Sequence, residues 1–201
     1  TQQAHPWLYS LSMAAIPEEV GRLIILWWMC TKMKSVEEPF DCLVYGATVW
    51  AGFAATENVL YAFKELQEGG SAFVILSIRA SLCTIGHTAW GVLLGAYVGL
   101  ARFGEEVNRK ATLAKGLLIT ITLHMLYDGL LMSVHQGQPL LRISAAFMVD
   151  VLSFLNLTNL NDLRSEVFEI DYQCNVKLDQ NPSNSPNLTF WNVTEIKSTY
   201  L

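Results

Sequence analysis

FVILSIRASLCTIGHTAWGVLLGAYVGLA, residues 73–101, is apolar throughout except for Arg79 and His87. A helix of this length, rising about 1.5 Å per residue, is long enough to cross the hydrocarbon of a bilayer with some tilt. Gly86, Gly91, Gly95 and Gly99 recur at roughly one-turn spacing, which predicts a face for close packing against another helix. Lipid rather than water is thus the expected solvent for most of this segment.

The same pattern repeats on both sides of that run. Residues 7–31 are apolar except at Glu18, Glu19 and Arg22, and Pro17 is expected to break or kink that helix just before the acids. Residues 43–63 carry one ionisable side chain, Glu57, in a run rich in small residues, of which Gly52, Ala54 and Ala55 would permit close helix contact. Residues 113–132 are interrupted only by His124 and Asp128. Residues 143–157 are shorter and contain Asp150, so they read as a fifth span, a re-entrant piece or an interfacial helix. The expected fold is all-α, a polytopic transmembrane helix bundle of four to five membrane segments, one of them interrupted near Pro17. The bundle is expected over residues 1–157, followed by a polar tail over 158–201 that is rich in Asn, Asp, Ser and Pro.

Only 15% of the 201 residues are charged, and they collect between the apolar runs instead of along amphipathic faces. The net charge of −5 and the lack of a basic arm exclude nucleic acid as the expected partner. Cys30, Cys42, Cys83 and Cys174 have no CxxC spacing, so neither a disulfide framework nor a thiolate metal site is expected. Lys32 and Lys34 lie in the loop 32–42, and Arg102, Arg109, Lys110 and Lys115 in the loop 102–115, which puts both loops on the cytoplasmic side. Asn156, Asn187 and Asn192 head N-x-S/T sequons that favour an outer or lumenal tail instead of a cytoplasmic one. Trp7, Tyr9, Trp27, Trp28 and Tyr61 fall near span ends, as an aromatic belt would place them.

Ionisable groups inside a membrane are costly, so Glu18, Glu19, Glu57, Arg79, His87, His124 and Asp128 each require a partner, a wet cavity or a function. With alternating topology, Glu18 lies roughly 15 Å from the outer end of its helix, Glu57 roughly 10 Å, His87 roughly 20 Å and His124 roughly 15 Å, all in one slab. His124 and Asp128 are spaced i, i+4, so the carboxylate can orient the imidazole or join it as a ligand. Adjacent Glu18 and Glu19 point about 100° apart, so one is expected to face the site and the other to pair with Arg22. A metal on Glu57, His87 and His124, with Asp128 beside them, would activate water with Glu18 or Glu19 as general base. Without metal, a glutamate and a histidine would do so by general-base chemistry alone. Arg79 reads more readily as a structural partner than as a catalyst, and His5 and His135 as surface residues.

These residues stand in an order that resembles the PrsW family of intramembrane proteases. The elements are Glu18-Glu19-Val-Gly-Arg22, Phe53-Ala-Ala-Thr-Glu57-Asn58, then Arg79, His87 and Gly91, and His124-Met-Leu-Tyr-Asp128, covering most of residues 17–129. The first motif of that family usually reads E-E-x-x-K, so Arg22 departs from it while preserving charge. The layout is also similar, more distantly, to CAAX-processing membrane proteases, which carry histidine where this chain has Glu57. The resemblance implies an intramembrane endopeptidase acting on single-pass or membrane-anchored proteins, such as anti-sigma factors in bacterial members. It implies catalytic roles among Glu18, Glu19, Glu57, His87, His124 and Asp128, support from Arg22, Asn58 and Arg79, and a divalent metal, zinc by preference.

Two other classes compete with this reading. A proton- or metal-coupled transporter also uses mid-membrane acids and histidines, but it predicts paired repeats, and no repeat is evident. An inactive relative would bind a membrane partner through its small-residue faces. The complete set of acids and histidines counts against it.

Overall fold

The computed structural model describes residues 5–104, 108–133 and 148–149. The segment 143–157, apart from 148–149, and the tail 158–201 lie outside the described residues, as do His135 and the three sequons. Every described element is helical, so the all-α expectation holds, with no strand among the described residues.

The first helical rod runs without a break from residue 6 to residue 32. It comprises α1 (Pro6–Tyr9), a π-helical stretch (Ser10–Ala15) and α2 (Ile16–Lys32). Pro17 does not break the rod. It lies at the start of α2, where the wider π-helical hydrogen bonding hands over to α, and the amide of Ile16 still donates back five residues to Leu11. In a regular α-helix the proline ring would collide with the carbonyl four residues earlier, and a π-helical turn relieves that crowding. The Ser10 hydroxyl ties this irregular stretch to the Met125 carbonyl at 3.0 Å.

Two sharp signals bound α3 (Pro39–Gln67). At its start Glu38 and Asp41 form a reciprocal capping box with Pro39 in the first turn. At its end the amides of Gly69 and Gly70 return to the carbonyls of Leu66 and Glu65, and Gly69 takes the left-handed conformation (φ 80°) that a side chain would resist. Ser71 then caps α4 (Ala72–Ser81), its hydroxyl accepting from the Val74 amide. A short irregularity at Leu82 separates α4 from α5 (Cys83–Phe103), and α6 (Arg109–Ser133) completes the set.

The central helix is α5, enclosed along its second half by the others. Its glycines let α3 approach at backbone contact. A Cβ on Gly91 would meet the Gly46 carbonyl and Trp50, one on Gly95 the Cys42 carbonyl, and one on Gly99 Pro39. The predicted packing face therefore lies on α5 as expected. Its counterpart on α3 is Gly46, whereas Gly52 is exposed with nothing within 4 Å. Arg102, at the end of α5, donates to the carbonyls of Cys30 and Val36 and so closes the connection between α2 and α3.

The distribution of polarity is inverted relative to a protein folded in water. Ile24, Ile25, Trp28, Val44, Leu60, Phe63, Phe73, Ile85 and Leu118 are exposed, while Glu19, Arg22, Asn58, Arg79, His87 and His124 are buried. Among the described residues, two helical stretches are long and apolar enough to cross a membrane, Ala72–Phe103 and Arg109–Ser133.

Candidate metal centre

The five segments bring most of the sequence-predicted polar side chains to one place. From α2 come Glu18, Glu19 and Arg22, from α3 Glu57 and Asn58, from α4 Arg79, from α5 His87, and from α6 His124 and Asp128.

Arg22 organises the first half of the site. One guanidinium nitrogen donates to Glu19 Oε1 at 2.7 Å and the other pairs with Glu18 Oε2, while the planar group stacks over the Phe53 ring, 3.9 Å from its centroid. Glu18 and Glu19 thus do not divide their roles as adjacent helical residues were expected to. Arg22, three and four residues on, lies on the ridge between them and takes both, and both also approach His124.

His124 is the hub of the site. Its Nδ1 is 3.0 Å from Glu19 Oε1, and its Nε2 is 3.3 Å from Asp128 Oδ2 and 3.8 Å from Glu18 Oε2. Because an ionised carboxylate only accepts, the Glu19 contact puts a proton on Nδ1, and Nε2 is left facing Glu18 and Asp128.

The second half is built around Glu57. Its Oε2 lies 3.1 Å from Arg79 Nη2 and 3.5 Å from His87 Nε2. Arg79 is held in turn by Asn58, whose Oδ1 accepts from Nε at 2.9 Å, and Asn58 donates to the Thr84 hydroxyl at 3.1 Å. Arg79 also stacks over Tyr61 at 3.8 Å, so Tyr61 has a polar role beyond that of a belt residue. Arg79 and Asn58 thus form one bonded chain behind Glu57.

The two halves meet across the histidines, whose ring centroids are 5.4 Å apart, with the indole of Trp90 against both. Glu18, His87 and His124 each offer a ligand atom within 4.8 Å of the others, the one such set of three among the described residues. Two observations test whether a cation fits there. His87 is 2% exposed, yet its Nδ1 has no hydrogen-bond partner and its Nε2 has only the long contact to Glu57, a costly arrangement that a ligand would relieve. The four carboxylates Glu18, Glu19, Glu57 and Asp128 face two guanidiniums, leaving a formal charge of −2 that one divalent cation balances. The donor set therefore fits a divalent metal.

Sequence reasoning missed Trp50 and Trp90. Trp50 Nε1 donates to Glu19 Oε2 at 3.1 Å. The available signal was helical spacing, since Trp50 stands seven residues before Glu57 and Trp90 three after His87, on the same faces.

Comparison with known proteins places the chain in a family. The family model described as PrsW family intramembrane metalloprotease matches residues 2–156. Protease PrsW of Geobacillus kaustophilus is 32% identical over 130 residues, 65% of this chain and 55% of that protein. Protease PrsW of Halalkalibacterium halodurans is 30% identical over 129 residues, 64% and 57% of the two chains. Protease PrsW of Bacillus subtilis is 40% identical over 95 residues, 47% and 41% of the two. The chain thus spans a little over half the length of the first two relatives. No solved structure matches it. With the family model covering residues 2–156 and the motif residues gathered around one buried cluster, the chain belongs to the PrsW family of intramembrane metalloproteases.

Proposed function

We propose that this chain is a membrane-embedded endopeptidase that hydrolyses peptide bonds of single-pass or otherwise membrane-anchored proteins. The observation that carries the reading is the convergence of Glu18, His87 and His124 from three different helices at metal-ligand separations. A divalent ion, zinc by preference, would supply Lewis-acid polarisation and a water of lowered pKa.

Glu18, His87 and His124 would hold that ion, and Asp128, beside His124 Nε2, would steady or complete the set. Among the acids, Glu57 is then the group to accept the proton of the attacking water. It borders His87 at 3.5 Å, and its ion pair with Arg79 fixes its position. This assignment exchanges the roles first expected for Glu18 and Glu57, because Glu18 and not Glu57 shares the 4.8 Å set with both imidazoles. Glu19, fully buried and bonded to His124 Nδ1, orients the imidazole instead of touching substrate.

The bundle of residues 1–157 would carry this site across four to five membrane segments, with the loops 32–42 and 102–115 cytoplasmic and residues 158–201 as a polar tail. The exposed apolar surfaces of α2 and α3, added to the two long apolar stretches, support the multi-pass arrangement.

Elemental analysis of the detergent-purified chain tests the metal, beside His87→Ala and His124→Ala. About one zinc per chain, lost from both folded variants, is the expected result. Zinc absent from the wild type and not taken up on addition would reject the metal and leave general-base hydrolysis by Glu57. Glu57→Gln should keep the zinc and abolish cleavage of a membrane-anchored reporter, and retained turnover would remove Glu57 from the reaction.

A further inference from the structure

Trp50 is fully buried on the α3 face that meets α5, and Gly91 makes room for it, since a Cβ there would come within 2.8 Å of the Trp50 Cβ. An indole N–H is a donor with no acceptor capacity, so in a buried position it selects an acceptor. Its partner is Glu19 Oε2 at 3.1 Å. The other carboxylate oxygen, Oε1, takes Arg22 Nη1 at 2.7 Å and His124 Nδ1 at 3.0 Å. Glu19 is therefore held from both oxygens by three donors on three helices. Arg22 and His124 alone would leave the carboxylate free to pivot about Oε1, and the contact to Oε2 removes that freedom.

We infer that Trp50 is a positioning residue that acts through Glu19, fixing the His124 ring with its Nδ1 proton on the carboxylate and its Nε2 turned towards Glu18. The inference rests on the metal reading for its consequence, because partners that orient a metal-ligating histidine are worth about 10- to 100-fold in metal affinity. The orientation of His124 itself does not depend on that reading.

The test uses the full chain in detergent with ¹⁵N-labelled histidine. A downfield imidazole N–H resonance, slow to exchange with solvent, is expected in the metal-free protein and should vanish in both His124→Gln and Glu19→Gln. Trp50→Phe keeps an aromatic ring and deletes the donor. It should broaden or shift that resonance and weaken zinc binding, measured by competition with a chelating dye, by about 10- to 100-fold. In a Glu19→Gln background the same substitution should cost little more, because the two residues act in series.

An unchanged resonance in Trp50→Phe overturns the inference, and so do losses that add fully in the double variant. If Trp50→Phe does not fold, Trp50→Gln retains an N–H donor and should keep the resonance, and its loss there counts equally against the role. A wild type that has the protected N–H but binds no zinc rejects the metal reading, while the comparison of resonances still decides the role of Trp50.

Discussion

Arg22 braces the Glu18 and Glu19 half of this site. It is 2% exposed, binds two adjacent carboxylates through separate nitrogens and sits over the Phe53 ring. A guanidinium does this because its donors form a planar fork, whereas an ammonium is a point charge that must choose. Arg22→Ala would leave the buried Glu19 and the partly exposed Glu18 without their counter-charge, and breaking a buried pair such as Arg22–Glu19 costs about 3–5 kcal/mol. Arg22→Lys should retain most of the fold and lose less than half of that stability, since one carboxylate remains paired. Denaturant unfolding in detergent micelles checks both values, and equal losses in the two variants would mean that a positive charge without the fork does nothing for the site. The identity of the site was legible in the sequence because intramembrane acids and histidines are conspicuous. The division of labour was not. Which of Glu18 and Glu57 stands near both imidazoles depends on helix rotation, and one sequence does not specify the rotation of α2 relative to α5. Trp50 and Trp90 were hidden for another reason, since a tryptophan in an apolar run looks like any other core or belt residue.

At the scale of the helices, glycine decides the approach of α3 to α5. A Cβ at position 95 would collide with the Cys42 carbonyl and reach within 2.8 Å of Leu43, both backbone atoms that cannot swing aside. Gly95→Val should therefore force the helices apart and destabilise the protein by about 1–3 kcal/mol or more, as overpacking does. Gly52→Ala is the contrasting case. It is exposed with open space around it, so the substitution should be neutral or stabilise by roughly 0.5–1 kcal/mol through the helical preference of alanine. Thermal unfolding of the two variants side by side measures the difference, and similar behaviour would mean that the close contact does not hold the pair together. The glycine row on α5 was readable as a packing face from its one-turn spacing. The partner glycine on α3 was not, because Gly46 and Gly52 are equally small and only the rotation of α3 distinguishes them. Pro17 was readable as a disturbance. Its outcome was not, since the rod continues through π-helical bonding instead of breaking, and the contact of that stretch with α6 through Ser10 joins residues more than a hundred positions apart in sequence.

For the whole molecule, an apolar exterior around a charged interior makes two quantities measurable. Trp28 is 60% exposed among other apolar side chains, whereas Trp50 and Trp90 are fully enclosed. In bilayers with brominated acyl chains, a variant keeping Trp28 as its sole tryptophan should be strongly quenched and one keeping Trp50 should not. Equal quenching would contradict the burial of α3 against α5. The interior has its own signature, because the four carboxylates exceed the two guanidiniums by two charges inside a medium that solvates ions poorly. A bound divalent cation removes that imbalance, and binding that is specific to the folded state adds stability by mass action. At free zinc 100-fold above Kd the gain is about 2.7 kcal/mol, so chelation should lower the thermal midpoint of the wild type and re-addition of zinc should restore it. His87→Ala removes one of the three proposed ligands but none of the charge imbalance, so its midpoint should respond far less to either treatment. A wild type that is indifferent to chelator and zinc would mean that no divalent metal neutralises the cluster, and the convergence of Glu18, His87 and His124 would then have to serve general-base hydrolysis alone.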